Sequence, residues 1–147
     1  MPETRDGVVL PPHAYVPGQN ARHPEDLFDV IKVSVTADMP PEELNSTAAW
    51  RAGLVYFETG YFWECHEVLE AVWMQTPPGS PEREMTQALI QLANARLKLR
   101  MGKPRATLRL CDMVQDHLGR CAGHAEILGK EVQEIASALE ETRQQVI

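Results

Sequence analysis

Proline placement constrains this chain more than any other feature. Pro11, Pro12, Pro17, Pro24, Pro40 and Pro41 crowd the N-terminal stretch, with Gly7 and Gly18 beside them. Each proline lacks a backbone donor and bars the residue before it from the helical region, so no long helix fits over 1–40. That segment reads as an extended arm. Val8-Val9-Leu10, Tyr15-Val16 and Leu27-Phe28-Asp29-Val30-Ile31 nevertheless carry too much apolar surface for a free tail. The arm is therefore expected to lie against the rest of the chain, with a helical turn or short strand over 26–32.

From Pro41 the signals turn helical. Pro41-Glu42-Glu43 suits a first turn, where proline forfeits no needed donor and carboxylates meet the positive helix end. Trp50, Leu54 and Phe57 recur at helical spacing up to Gly60, a C-terminal stop. A second helix spans about 62–75 and ends at Pro77-Pro78-Gly79-Ser80-Pro81. Ser80 as N-cap, followed by Pro81 and Glu82, starts a third that reaches Gly102. Pro104 opens a fourth, carried by Ala106, Leu110, Met113 and Val114 to about Gly119, and a fifth from about Gly123 repeats Leu128, Val132, Ile135 and Leu139. The expected architecture is all-α: a five-helix bundle-like domain over 41–147, with the arm of 1–40 packed on it.

Chemistry is concentrated in the second helix, in Tyr61-Phe62-Trp63-Glu64-Cys65-His66-Glu67-Val68-Leu69-Glu70-Ala71-Val72-Trp73. At about 100° per residue, His66, Glu70 and Trp73 share one side, because i, i+4 and i+7 stack on successive turns. Glu64, Glu67 and Ala71 point progressively to the other side. A carboxylate one turn after a histidine can accept a hydrogen bond from its ring or share a cation with it. His66 and Glu70 are the candidate metal ligands and Glu67 the candidate general base. The remaining histidines, His13, His23, His117 and His124, stand alone in sequence and read as packing or solvent-facing groups.

In the third helix Gln87, Gln91, Asn94 and Lys98 form one polar stripe with apolar residues on both flanks, while Arg96 and Arg100 lie nearly opposite. Arginines need water more than amides do, so the arginines are expected at the surface and the stripe inside, facing the second helix. The predicted site is a buried polar network of His66, Glu70, Gln87, Gln91, Asn94 and Lys98 between those two helices.

At 147 residues and 44% hydrophobic content the chain makes one domain with a sizeable core. A net charge of −7 with dispersed Lys and Arg argues against nucleic acid and anionic membranes as partners. No apolar run approaches the ~20 residues of a membrane helix, and no signal-peptide core follows the start, so a cytoplasmic location is expected. Cys65, Cys111 and Cys121 are odd in number and form no C-x-x-C pair, which suits buried reduced thiols.

The run from Gly60 through His66-Glu67 and Glu70 to Trp73, followed by Gln87, Ile90, Gln91 and the Gly102 turn, resembles the bacterial and archaeal domain of unknown function 309 family over about residues 48–118. The resemblance implies an all-helical fold and a biochemically uncharacterised protein of a type described as predicted metal-dependent hydrolases. It matches the family's histidine and glutamates to His66, Glu67 and Glu70, its tryptophan to Trp73 and its glutamine to Gln91. Seven residues after that glutamine, where the resemblance leads one to expect a histidine, this chain has Lys98. An ammonium repels a divalent cation, so Lys98 disfavours a metal and favours an ion-paired network.

The motif itself is H-E-x-x-E rather than the H-E-x-x-H of zinc proteases, and a metal would need a third ligand from elsewhere, such as His13 or His23. Three functions follow. The leading one is a structural or interaction module, self-association to a homo-oligomer included, in which the polar network fixes helix register. The others are a metal-dependent hydrolase using His66, Glu67 and Glu70, and a pocket for an unidentified small molecule walled by Trp50, Phe62, Trp63 and Trp73.

Overall fold

The computed structural model describes residues 3–146 and is all-α apart from two very short hairpins. Five long helices carry the bundle: α3 (Ala48–Thr59), α4 (Phe62–Trp73), α5 (Pro81–Arg100), α6 (Pro104–Gly119) and α7 (Val132–Gln144). Two single turns precede them, α1 (Asp29–Lys32) and α2 (Pro41–Leu44). Strand β1 (Thr4–Arg5) pairs antiparallel with β2 (Val8–Val9), and β3 (Glu126–Ile127) with β4 (Lys130–Glu131).

The helix ends follow the expected chemistry. Ser80 Oγ accepts from Arg83 N at 3.1 Å with Pro81 at the first helical position, and Gly60, at φ 88°, closes α3 in the left-handed region that glycine enters without strain. Two boundaries differ from the sequence reading. The helix expected to begin at Pro41 is broken after Leu44, and α3 begins afresh behind Thr47, whose Oγ1 accepts from Trp50 N at 3.1 Å. A threonine that caps competes with helix continuation for the same backbone groups. The last helix begins at Val132, nine residues later than expected, because 126–131 form the second hairpin. Leu128 at φ 54° and Gly129 at φ 72° make its turn, and Leu128 is buried there rather than on a helix face.

α5 is the central element. It packs against α4, α6 and α7, and Met85, Ala88, Leu89, Leu92, Ala93 and Ala95 on it are fully enclosed. Arg96 departs from the expected surface position. Its guanidinium donates to Thr142 Oγ1 at 3.0 Å and to Ala138 O at 3.2 Å on α7, and lies 4.8 Å from the Phe57 ring. Burial lowers its pKa, and Glu141 at 3.7 Å partly restores it. A planar fork with a long aliphatic stem can satisfy its donors and stack at once, so it tolerates the α5–α7 seam. Arg100 is exposed, stacks 4.5 Å from Phe62 and donates to Gly60 O.

The arm lies on α3 and α4, burying Val8, Val16, His23 and Phe28, with α1 against both helices. Beneath it α3 and α4 meet closely at Gly53, where an added Cβ would fall 2.6 Å from Leu69 Cγ in a fully enclosed side chain. Gly53→Ala should therefore lower the midpoint of thermal unfolding. Overpacking costs about 1–3 kcal/mol, more than the ~1 kcal/mol that alanine's helix propensity returns. An unchanged or higher midpoint by calorimetry would show that Leu69 has room to swing aside.

Candidate functional site

α4 presents one histidine and three glutamates in seven residues, and the structure sorts them into two groups. His66, Glu67 and Glu70 form the first. One donor atom from each lies within 4.8 Å of the others. His66 Nδ1 is 3.2 Å from Trp63 O, and since a carbonyl only accepts, Nδ1 carries a proton there. That leaves Nε2 facing Glu70 Oε1 at 3.3 Å. Glu67 Oε2 accepts from Lys32 Nζ at 2.8 Å, so α1 of the arm delivers an ammonium to the cluster.

The fit to a divalent ion can be tested on this donor set. A neutral imidazole nitrogen and two carboxylates are suitable in type for iron, manganese or zinc. Lys32 holds one Glu67 oxygen and so competes with an ion for that group, and no fourth ligand from another element joins the trio among the described residues.

The amide stripe on α5 is half-buried along Gln87, Gln91, Asn94 and Lys98. Asn94 Nδ2 donates to Gln91 Oε1 at 3.3 Å. Among the described residues no hydrogen bond or ion pair joins Gln87, Gln91, Asn94 or Lys98 to His66 or Glu70, and the ammonium that reaches the cluster is Lys32 rather than Lys98. The four aromatics proposed as pocket walls have different neighbours. Trp50 is buried in the core, Phe62 lies against Phe57 and Arg100, and Trp73 stacks under Arg83 at 4.0 Å. Trp63 packs with Tyr15 at 5.1 Å and with His23, Phe28 and His66 at 6.1–6.2 Å.

The second group was not legible from spacing. Glu64 is fully buried, although helical arithmetic puts it on the side away from His66, because the arm covers that side. Its Oε2 accepts from Tyr15 N at 2.7 Å and pairs with His23 Nε2 at 2.6 Å. Its Oε1 has no partner among the described residues. The His23 ring, 6% exposed, stacks on His13 at 4.6 Å and meets Phe28 edge-on at 5.8 Å. Burial first, then Glu64, pushes the Tyr56 phenol up to about 12 and the Cys65 thiol well above its ordinary range. Both groups thus stay protonated at neutral pH. His13 and His23 serve this second group, not the His66 cluster. His117, also solitary in sequence, finds Glu84 of α5 at 2.6 Å.

Two signals could have revealed the buried pair: a glutamate between Trp63 and Cys65 on an otherwise apolar arc, and a histidine flanked by the apolar segments of the arm. No periodicity relates positions forty-one apart in sequence.

Residues 50–110 match the family model described as "Domain of unknown function (DUF309)", less than half of the chain but the part containing α4 and α5. Comparison with curated proteins finds no match, and comparison with solved structures finds none. No helix among the described residues is long and apolar enough to cross a membrane.

Breaking the His23–Glu64 pair from one side leaves a buried group without its partner, at a cost of about 3–5 kcal/mol, whereas replacing both groups by apolar ones is often close to neutral. His23→Ala should lose about that much stability in urea unfolding, and His23→Phe with Glu64→Leu should recover most of it. A double variant as unstable as the single one would show that the pair does not hold the arm.

Proposed function

We propose that this chain, a member of the DUF309 family through residues 50–110, acts as a helical scaffold or interaction module whose α4 carboxylates fasten its own arm rather than perform chemistry. One observation carries this reading: each carboxylate of the α4 motif finds a partner side chain within the chain. Glu64 has His23 at 2.6 Å, Glu67 has Lys32 at 2.8 Å and Glu70 has His66 at 3.3 Å. Two of those partners come from the arm. Charges satisfied in this way specify one docking geometry, which is a known use of buried ionic groups in place of catalysis.

The same reading assigns partners and place. A net charge of −7 argues against nucleic acid as a partner, and three buried free thiols suit the cytoplasm. A second reading, a metal-dependent hydrolase with His66 and Glu70 as ligands and Glu67 as base, draws on the convergence of the three donors within 4.8 Å. It requires Lys32 to leave Glu67.

Elemental analysis of the purified chain separates the two. The scaffold reading expects substoichiometric metal, and Lys32→Met should lower stability while leaving metal content unchanged. Stoichiometric manganese, iron or zinc that is lost on His66→Ala, or gained on Lys32→Met, overturns it in favour of the hydrolase.

A further inference from the structure

Among the described residues seven large apolar side chains are exposed, and five of them fall in two places. Leu27, Val30 and Val33 belong to the arm, with the valines 83% and 70% exposed, while Leu108 and Met113 on α6 are 43% and 38% exposed. Apolar groups scattered singly over a surface are ordinary, whereas clusters rimmed by polar residues mark contact surfaces.

The arm cluster follows from its backbone. Leu27 N bonds to Pro24 O, Lys32 N to Phe28 O and Val33 N to Asp29 O, so the segment coils continuously. Residues three apart then share a side. Phe28 and Ile31 turn inward to the core, and Leu27, Val30 and Val33 are left facing out. Glu25, Asp26 and Asp29 beside them are exposed as well. The nearby bases are already engaged, Lys32 by Glu67 and Arg22 over the Trp63 ring. The result is an apolar face with an acidic rim.

α6 carries the converse. Helical spacing puts Arg105 and Arg109 between Leu108 and Met113 on its exposed side, with Lys103 just before the helix. Of the acids on that side, Asp112 holds Arg143 at 2.9 Å, and Asp116 lies beyond Met113 toward the C-terminal end. Among the described residues Glu25, Asp26, Asp29, Lys103, Arg105 and Arg109 make no ion pair. α1 rests on α3 and α4, and α6 on α5 and α7, so neither face covers the other within one chain. Across two molecules the faces are complementary: apolar burial supplies attraction, and the opposite rims fix the register and disfavour like-on-like contacts.

We propose that the arm face of one copy, Leu27, Val30 and Val33 within their acidic rim, docks on the Arg105, Leu108, Arg109 and Met113 face of α6 in a second copy. The contact is heterologous, with different surfaces from the two molecules, so assembly proceeds head to tail. It rests on the interaction-module reading and names a second copy of the chain as the module's partner.

Sedimentation equilibrium on the full chain tests this. The wild type should rise above the mass of a single chain as its concentration approaches millimolar. Asp26→Lys with Asp29→Lys, and separately Arg105→Glu with Arg109→Glu, set like charges face to face, and each pair should weaken association about tenfold or more. An equimolar mixture of the two variants again opposes unlike charges, arm bases to α6 acids and arm acids to α6 bases, and should regain most of the wild-type affinity. All four positions are exposed, and an unchanged circular dichroism spectrum checks the fold. Should a charge variant fail to fold, Val30→Ser with Val33→Ser decides, with a several-fold loss expected. A wild type that stays monomeric at millimolar concentration, folded variants that associate as the wild type does, or a mixture that associates no better than its components overturns the proposal. A metal-free monomer would overturn this contact and leave the scaffold reading standing, whereas stoichiometric metal bears on that reading alone.

Discussion

A carboxylate with no exposed surface, Glu64, sits where the N-terminal arm crosses α4, and much of the molecule's arrangement depends on how it is satisfied. Burying an ionised carboxylate costs several kcal/mol unless hydrogen bonds and an opposite charge offset it. Here the offset comes from residues far away in sequence, the Tyr15 amide and the His23 ring, so the arm cannot leave without stranding the charge. With that contact made, Phe28 and Val16 are carried into the core, α1 is set against α3 and α4, and Lys32 is brought to Glu67.

This constraint changes the meaning of the α4 motif. On an isolated helix, two carboxylates and a histidine in five residues invite a metal or a general base. In the folded chain the arm covers one side of the helix and brings His23 and Lys32 to it. What remains toward solvent is Glu70, half exposed and paired with His66. The donor set keeps the right atoms for a metal, but an ammonium competes for one of its carboxylates.

α5 shows a milder version of the same logic. Its amide stripe stays half-buried with, among the described residues, one hydrogen bond between its side chains, which amides tolerate because they exchange readily with water at an edge. Arg96 is half-buried like the amides rather than at the surface. Its guanidinium reaches Thr142 and Ala138 on α7 while resting on Phe57, so its donors keep protein partners there. Need for water alone therefore did not place it. Length and donor geometry decided it.

The sequence by itself determined the helical class, the limits of α4, α5 and α6, and the clustering of His66, Glu67 and Glu70. All of these rest on interactions within a few residues: proline's missing donor, the Ser80 cap, glycine's access to the left-handed region, and the i, i+4 spacing of a helix face. Asp6-Gly7, a strong hairpin signal, is equally local, whereas Leu128-Gly129 gives little hint of a turn. Only the tertiary structure decided that Glu64 is buried and that His23 and Lys32 of the arm reach the carboxylates of α4. Those facts depend on where an extended segment lands, and a segment without periodicity has no face to predict. Its position is fixed by shape and charge complementarity between residues tens of positions apart, which no local rule contains.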